Sequence, residues 1–288
     1  MWRAIVLGHH FVPQRYLKGF QAPERPGWIW MYDKLTQTQK LLPIKQVAQA
    51  PGFYKEDVER ELNEQVEQPG GDVIDRMCRG EPIDEMERRH LTYYLGTMIR
   101  RVPIARSRAA KAVPQVLSEA AQEAREWFEE ASSTGRIDGV TSAARLAEVD
   151  AVERRLQQQP AQVIDAIETP WPFASMLIAI YSMWWRVLRC AGPSSFLTSD
   201  NPAFFFTGYG LGTPQSELIL PLRSDLLLHC SWQRGREEGI QVAGQRLVRS
   251  LNRRTAAGAE RFVFYHKGED WVLKAAQNTE PQLDRIQW

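Results

Sequence analysis

Apolar residues recur at helical spacing through the middle of the chain and at strand-like spacing towards its two ends. The segment Pro13 to Phe20 opens on a proline suited to a first helical turn and places Tyr16, Leu17 and Phe20 on one face, which should point inward. Trp28 to Tyr32 and Gln39 to Leu42 flank a polar stretch and predict an antiparallel hairpin. From about Lys55 to Cys190 the pattern is mainly helical. Asp57 to Glu67 is charged and amphipathic, and Asp84 opens a helix through Arg101 that carries Met86, Leu91, Tyr94, Leu95, Met98 and Ile99 at helical spacing. Pro103 breaks or bends the path. Further helices are expected from Ile104 to about Ala131, bent near Pro114, from Ser142 to Gln158, and through the tryptophan-rich stretch ending near Arg189. Ser132 to Gly139 reads as an exposed connector.

Beyond Gly192 the pattern changes to short strands and turns. Phe196 to Thr198 and Ala203 to Phe206 bracket a Ser-Asp-Asn-Pro turn, and Glu217 to Pro221 and Asp225 to Cys230 form a second pair. A helix from Gln245 to about Gly258 precedes a strand from Arg261 to Tyr265. The fold class is therefore α+β: one domain over residues 1–288, with an N-terminal motif and hairpin (1–50), a central helical block (55–190) and a strand-bearing end (193–288). The two strand-bearing ends are expected to share one sheet.

Composition narrows the class. The 288 residues carry 36 basic and 35 acidic side chains, a net charge of +1, and 43% are hydrophobic, which excludes disordered, collagen-like and strongly polyanion-seeking chains. Cys78, Cys190 and Cys230 are widely spaced, with no metal-finger pattern, and the first ten residues lack the apolar run of a secretory signal; both point to a cytoplasmic protein. The uncharged stretch from Thr169 to Trp185 contains two prolines and is too short to span a bilayer, so a buried helix is expected and no membrane partner.

Three groups of residues could carry chemistry. His9 and His10 precede the Pro13 helix; an imidazole there could bind a metal, transfer a proton or help hold an anion, or simply cap and pack. Thr198-Ser199-Asp200-Asn201-Pro202 lies at a strand end, where Asp200 could ligate a divalent metal or orient a histidine and Asn201 could donate to a phosphate or base; the same residues are also ordinary turn chemistry. From Asp84 to Lys111 seven basic residues, among them Arg101 and Arg106, face only three acidic ones, and Arg246, Arg249 and Arg253 form a second basic stripe, so two basic surfaces could hold phosphates over one cleft. Charge runs are otherwise solvated faces. In the acidic row Glu61, Glu64 and Glu67, Glu67 is the residue of interest as a carboxylate for acid-base or metal chemistry. Phosphate-binding glycine loops, nucleophile elbows and paired-histidine zinc motifs are absent.

The patterns His9-His10-x-Val12-Pro13-x-x-Tyr16-Leu17-x-x-Phe20, Trp30-x-Tyr32-Asp33, Arg101-x-Pro103-x-x-Arg106, Leu197-Thr198-Ser199-Asp200-Asn201-Pro202 and Leu220-Pro221-Leu222 resemble those of a bacterial family catalogued as domain of unknown function four-two-three-eight. Asn252 and Arg261-Phe262-Val263-Phe264 are similar to its C-terminal pattern, so the resemblance runs from about Gly8 to Tyr265. It implies a shared fold and supplies no mechanism. The opening is also similar to the first strand of His-Asn-His nucleases, but no Asn and His follow at the spacing a metal-finger nuclease requires; the next histidine is His90.

The leading expectation is a hydrolase acting on phosphodiester bonds of nucleic acid or nucleotide. His10 would be the general acid/base or a metal ligand, Asp200 its orienter or a second ligand, and Arg101 with Arg106 would stabilise phosphate charge. His9, Tyr16, Ser199, Asn201, Arg249 and Arg253 would contact substrate, with a divalent metal as candidate cofactor. The alternative is a non-catalytic binding or regulatory module in which the histidine motif locks the N-terminal helix and Asp200 builds a turn. The first expects His10, Asp200 and Arg101 in one cleft, and the second expects them buried and mutually satisfied.

Overall fold

A computed structural model describes residues 8–53, 56–158, 170–205, 210–233 and 239–277. Phe206, the last residue of one expected strand, and Thr169, at the head of the uncharged stretch, lie outside the described residues, as do the Arg106 and Lys111 side chains. Backbone contacts divide the chain into two compact units, one formed by residues on both sides of the other: 1–103 with 170–288, and 104–169.

In the first unit a short strand β1 (Gly8–His10) pairs antiparallel with β4 (Gln49–Pro51). Between them lie α1 (Gln14–Leu17), continued by a tighter turn over Lys18–Phe20, and the hairpin β2 (Trp28–Asp33) and β3 (Thr38–Pro43). Then come α2 (Glu56–Leu62), a π-helical segment (Asn63–Glu67), α3 (Gln68–Arg79) and α4 (Glu85–Arg100). Asp84 caps α4 reciprocally with Glu87: each carboxylate accepts the other residue's backbone N–H, at 2.8 and 2.9 Å.

After residue 170 the unit resumes with α7 (Ala174–Ser182), β5 (Trp184–Cys190), β6 (Thr198–Ser199) and β7 (Phe204–Phe205). It continues with β8 (Glu217–Arg223), β9 (Leu226–Ser231), β10 (Ile240–Ala243), α8 (Gln245–Gly258), β11 (Phe262–Tyr265) and α9 (Asp270–Ala276). The helix expected to reach Arg189 stops at Ser182. The next seven residues, Trp-Trp-Arg-Val-Leu-Arg-Cys, are rich in strand-favouring side chains and are paired along both edges, with β9 antiparallel and β10 parallel.

Two larger sheets organise this unit. The order β3-β2-β11-β6 joins the N-terminal hairpin to C-terminal strands, so the two ends of the chain share a sheet. The second runs β10-β5-β9-β8-β7 and is covered on both faces. Alternation along its strands shows how: Leu226, Leu228, Cys230, Leu218 and Leu220 enter the main core with α3 and α4, while Leu227, Ile219 and Leu188 face Val248 and Leu251 of α8. A third cluster, with Tyr32, Leu197, Val263, Tyr265 and Val272, seals the four-stranded sheet under α8 and α9.

The second unit holds α5 (Pro103–Ser133), apart from its first residue, and α6 (Gly139–Gln158), joined by the connector expected from Ser132 to Gly139. Arg125 of α5 donates to Asp150 at 2.8 Å and to Glu153 of α6, and the Ser142 hydroxyl donates to the Phe128 carbonyl at 3.1 Å, so the two helices fold back on one another. Arg106 belongs to α5 in this unit. No helix among the described residues is long and apolar enough to cross a membrane.

Candidate functional site

The expected site residues fall into three places. The first is the join of β1, the π-helical segment and the end of α4. Arg101, the C-cap of α4, is 1% exposed; its guanidinium donates to Glu67 Oε1 at 2.5 Å and to the His10 carbonyl oxygen. The wider π turn brings Glu67 inward, while Glu61 and Glu64 remain exposed. The His10 ring is half-buried, with Nδ1 3.5 Å from the Gln14 amide nitrogen. Burial lowers its pKa, against the Lys45 backbone and Glu67, which raise it. Glu59 also senses this cluster: burial raises its pKa, while Arg101, His9 and the His10 backbone oppose the rise. Three stretches distant in sequence thus converge, and the arginine among them is sealed from solvent.

The second place is the turn after β6. Asp200, 4% exposed, accepts three backbone N–H groups, from Glu260 at 2.9 Å, Arg261 at 2.7 Å and Phe262 at 2.8 Å. Burial pushes its pKa up to about 6 in spite of these donors. Asn201 donates its side-chain N–H to the Gly258 carbonyl at 2.7 Å, and the Ser199 hydroxyl accepts the Asn201 backbone N–H at 3.1 Å. Tyr16 also points inward: its hydroxyl donates to the Pro221 carbonyl at 2.6 Å and lies 2.7 Å from the Thr198 hydroxyl. Expected to contact substrate, Tyr16, Ser199 and Asn201 are instead buried and tie β6 to α1, α8 and β8. The structure joins Arg101 to His10 but gives Asp200 a different set of partners, because its carboxylate is the acceptor that closes the turn from α8 into β11.

The third place was legible only as a charge stripe. Arg249 and Arg253, one turn apart on α8, line a cavity of about 410 Å³ with Trp271 and Lys274 of α9 and the loop at Ser194 and Ser195. Arg249, Arg253 and Lys274 form no ion pair or hydrogen bond among the described residues. The inward face of the same helix differs: Arg254, 1% exposed, donates to Glu217 at 2.7 Å beside the buried His229. Sequence reasoning named Arg249 and Arg253 from their spacing and missed Trp271 and Lys274, which sit in a later helix with no motif of their own.

Another cavity, of about 540 Å³, lies along α1 and α3 with Glu67, Tyr94 and Lys18 in its walls. Among the described residues no group of three or more His, Cys, Asp or Glu side chains is placed to hold a metal ion, so the candidate divalent metal has no ligand set there.

The architecture is that of an α+β chain whose His-His-x-Val-Pro and Ser-Asp-Asn-Pro segments are built into its frame. Residues 8–269 match the model of a protein family of unknown function, DUF4238, and the chain belongs to that family. No curated protein and no solved structure matches it.

Proposed function

We propose that this protein is a non-catalytic binding module for a phosphate-bearing ligand, a nucleotide or nucleic acid, engaged through the basic face of α8. The observation that carries this reading is a contrast in side-chain partners. Asp200 and Arg101, which a hydrolase would need to present, are buried and hydrogen-bonded to protein groups, whereas Arg249, Arg253 and Lys274 line an open cavity and form no ion pair or hydrogen bond among the described residues. Guanidinium and ammonium groups that lack a protein partner are suited to phosphate oxygens.

A second reading, hydrolysis of a phosphodiester bond at His10, is favoured by one observation: a half-buried imidazole, its pKa lowered by burial, lies within electrostatic reach of Glu67. One set of measurements separates the two. Labelled RNA, single-stranded DNA and duplex DNA are incubated with the purified protein in Mg²⁺, Mn²⁺ or EDTA, and binding and cleavage are followed for wild type, His10→Ala, Asp200→Ala and Arg249→Glu/Arg253→Glu. The binding-module reading expects retention that weakens with salt and is lost in the double arginine variant, with no cleavage. Cleavage abolished in a folded His10→Ala protein would replace it with the hydrolase.

A further inference from the structure

Resting on the binding-module reading, we infer that the cavity between α8 and α9 takes a single mononucleotide, its phosphates on Arg249, Arg253 and Lys274 and its base against the Trp271 indole. The volume, about 410 Å³, lies within the roughly 300–1,000 Å³ usual for small-molecule sites. Charge sets the polarity of the ligand. Three cations with no ion pair or hydrogen bond among the described residues converge from two helices, and Glu269, also in the lining, is engaged by the Trp271 indole N–H. That bond fixes the plane of Trp271, and the ring stacks on no other aromatic side chain among the described residues. An indole held by its N–H beside the three cations suits a ligand that is anionic at one end and flat at the other.

The opposite wall is preorganised. Asn252, buried on α8, donates to the Ser195 carbonyl at 2.8 Å and accepts the Leu197 N–H at 2.9 Å, so the Ser194–Ser195 loop is held against the helix before any ligand arrives. Because Glu269 repels phosphate, the anionic end belongs beside α8 and the ring beside α9.

Isothermal titration of the purified full chain with ATP, adenosine, inorganic phosphate and a short single-stranded oligonucleotide tests the assignment. ATP is expected to bind once per chain, with adenosine and phosphate each weaker by about tenfold or more. Arg253→Glu should abolish binding, Trp271→Ala should weaken it about tenfold, and Trp271→Phe, which keeps a ring in place should the alanine variant not fold, should largely preserve it. Phosphate binding as tightly as ATP, or a folded Trp271→Ala protein with unchanged affinity, would overturn the mononucleotide assignment. Binding of the oligonucleotide alone would also overturn it while leaving the binding-module reading intact. Binding of none of these ligands, nor of any nucleic acid in the assay above, would remove both.

Discussion

Asp200 closes the path from α8 into β11 by accepting three consecutive backbone N–H groups, a task a neutral side chain performs poorly. Asp200→Ala leaves those amides without their acceptor and should cost about 3 kcal/mol in urea unfolding, with Asp200→Asn intermediate because one amide oxygen remains. A residue acting only in catalysis would leave the unfolding midpoint unmoved. Asp33 offers a second test with a defined pH sign. Arg261 donates to both of its carboxylate oxygens, at 2.7 and 3.0 Å, and with the Leu35 and Thr36 amides holds its pKa at about 2 instead of 3.8. The fold therefore favours the charged form, and this stabilisation is present above the ordinary aspartate value and lost as pH falls through about 2. Arg261→Gln should be modestly less stable than wild type near neutrality, since Arg261 is half-exposed, and the gap should close as unfolding is measured at progressively lower pH.

At the scale of elements, the packing of α3 against α4 depends on a glycine whose role the sequence pattern hides. A Cβ at Gly70 would lie 2.5 Å from the ring of Tyr94, which is buried on α4. Gly70→Ala should therefore destabilise by about 2 kcal/mol, although alanine is the better helix former, while Gly139→Ala, at the open start of α6, should be neutral or stabilising. Thermal melts check the pair: a lowered midpoint for Gly70→Ala and an unchanged or raised one for Gly139→Ala. Pro69-Gly70-Gly71 carries turn residues, so local pattern gives α3 no clear start; its reason to be helical is the neighbour across the interface. The amphipathic helices α4 and α8 were legible because their periodicity records the face they bury, and the β2–β3 hairpin because its two strands are adjacent in sequence. The strand Trp184–Cys190 was misread as helix because a strand covered on both faces lacks the alternation that would distinguish it. The candidate site followed the same rule. Spacing along one helix marked Arg249 and Arg253, but burial of Asp200 and Arg101, and the convergence of Trp271 and Lys274, depend on contacts between distant segments.

For the whole molecule, the consequential feature is that one compact unit is interrupted by another. The exit and re-entry of the chain are neighbours within the first unit. The Arg100 guanidinium sits 4.4 Å from the centre of the Phe173 ring, and Gly96 of α4 packs on Pro172 so closely that an added Cβ would lie 2.7 Å from its side chain. Both sheets, the three hydrophobic clusters and the α8–α9 cavity are built from residues of this unit. Loop-closure entropy changes slowly with length, so exchanging a long insertion between adjacent anchor points for a short flexible linker imposes little strain. Replacing residues 104–169 by a short glycine-serine linker should therefore yield a protein that unfolds in a single cooperative transition and retains whatever binding the α8–α9 cavity supports. Loss of the cooperative transition would show that α5 and α6 are needed for the sheet-bearing unit to fold. A folded deletion protein that no longer binds a ligand held by the full chain would place part of the binding surface in the helical pair, a result that calorimetry on the two proteins side by side would reveal directly.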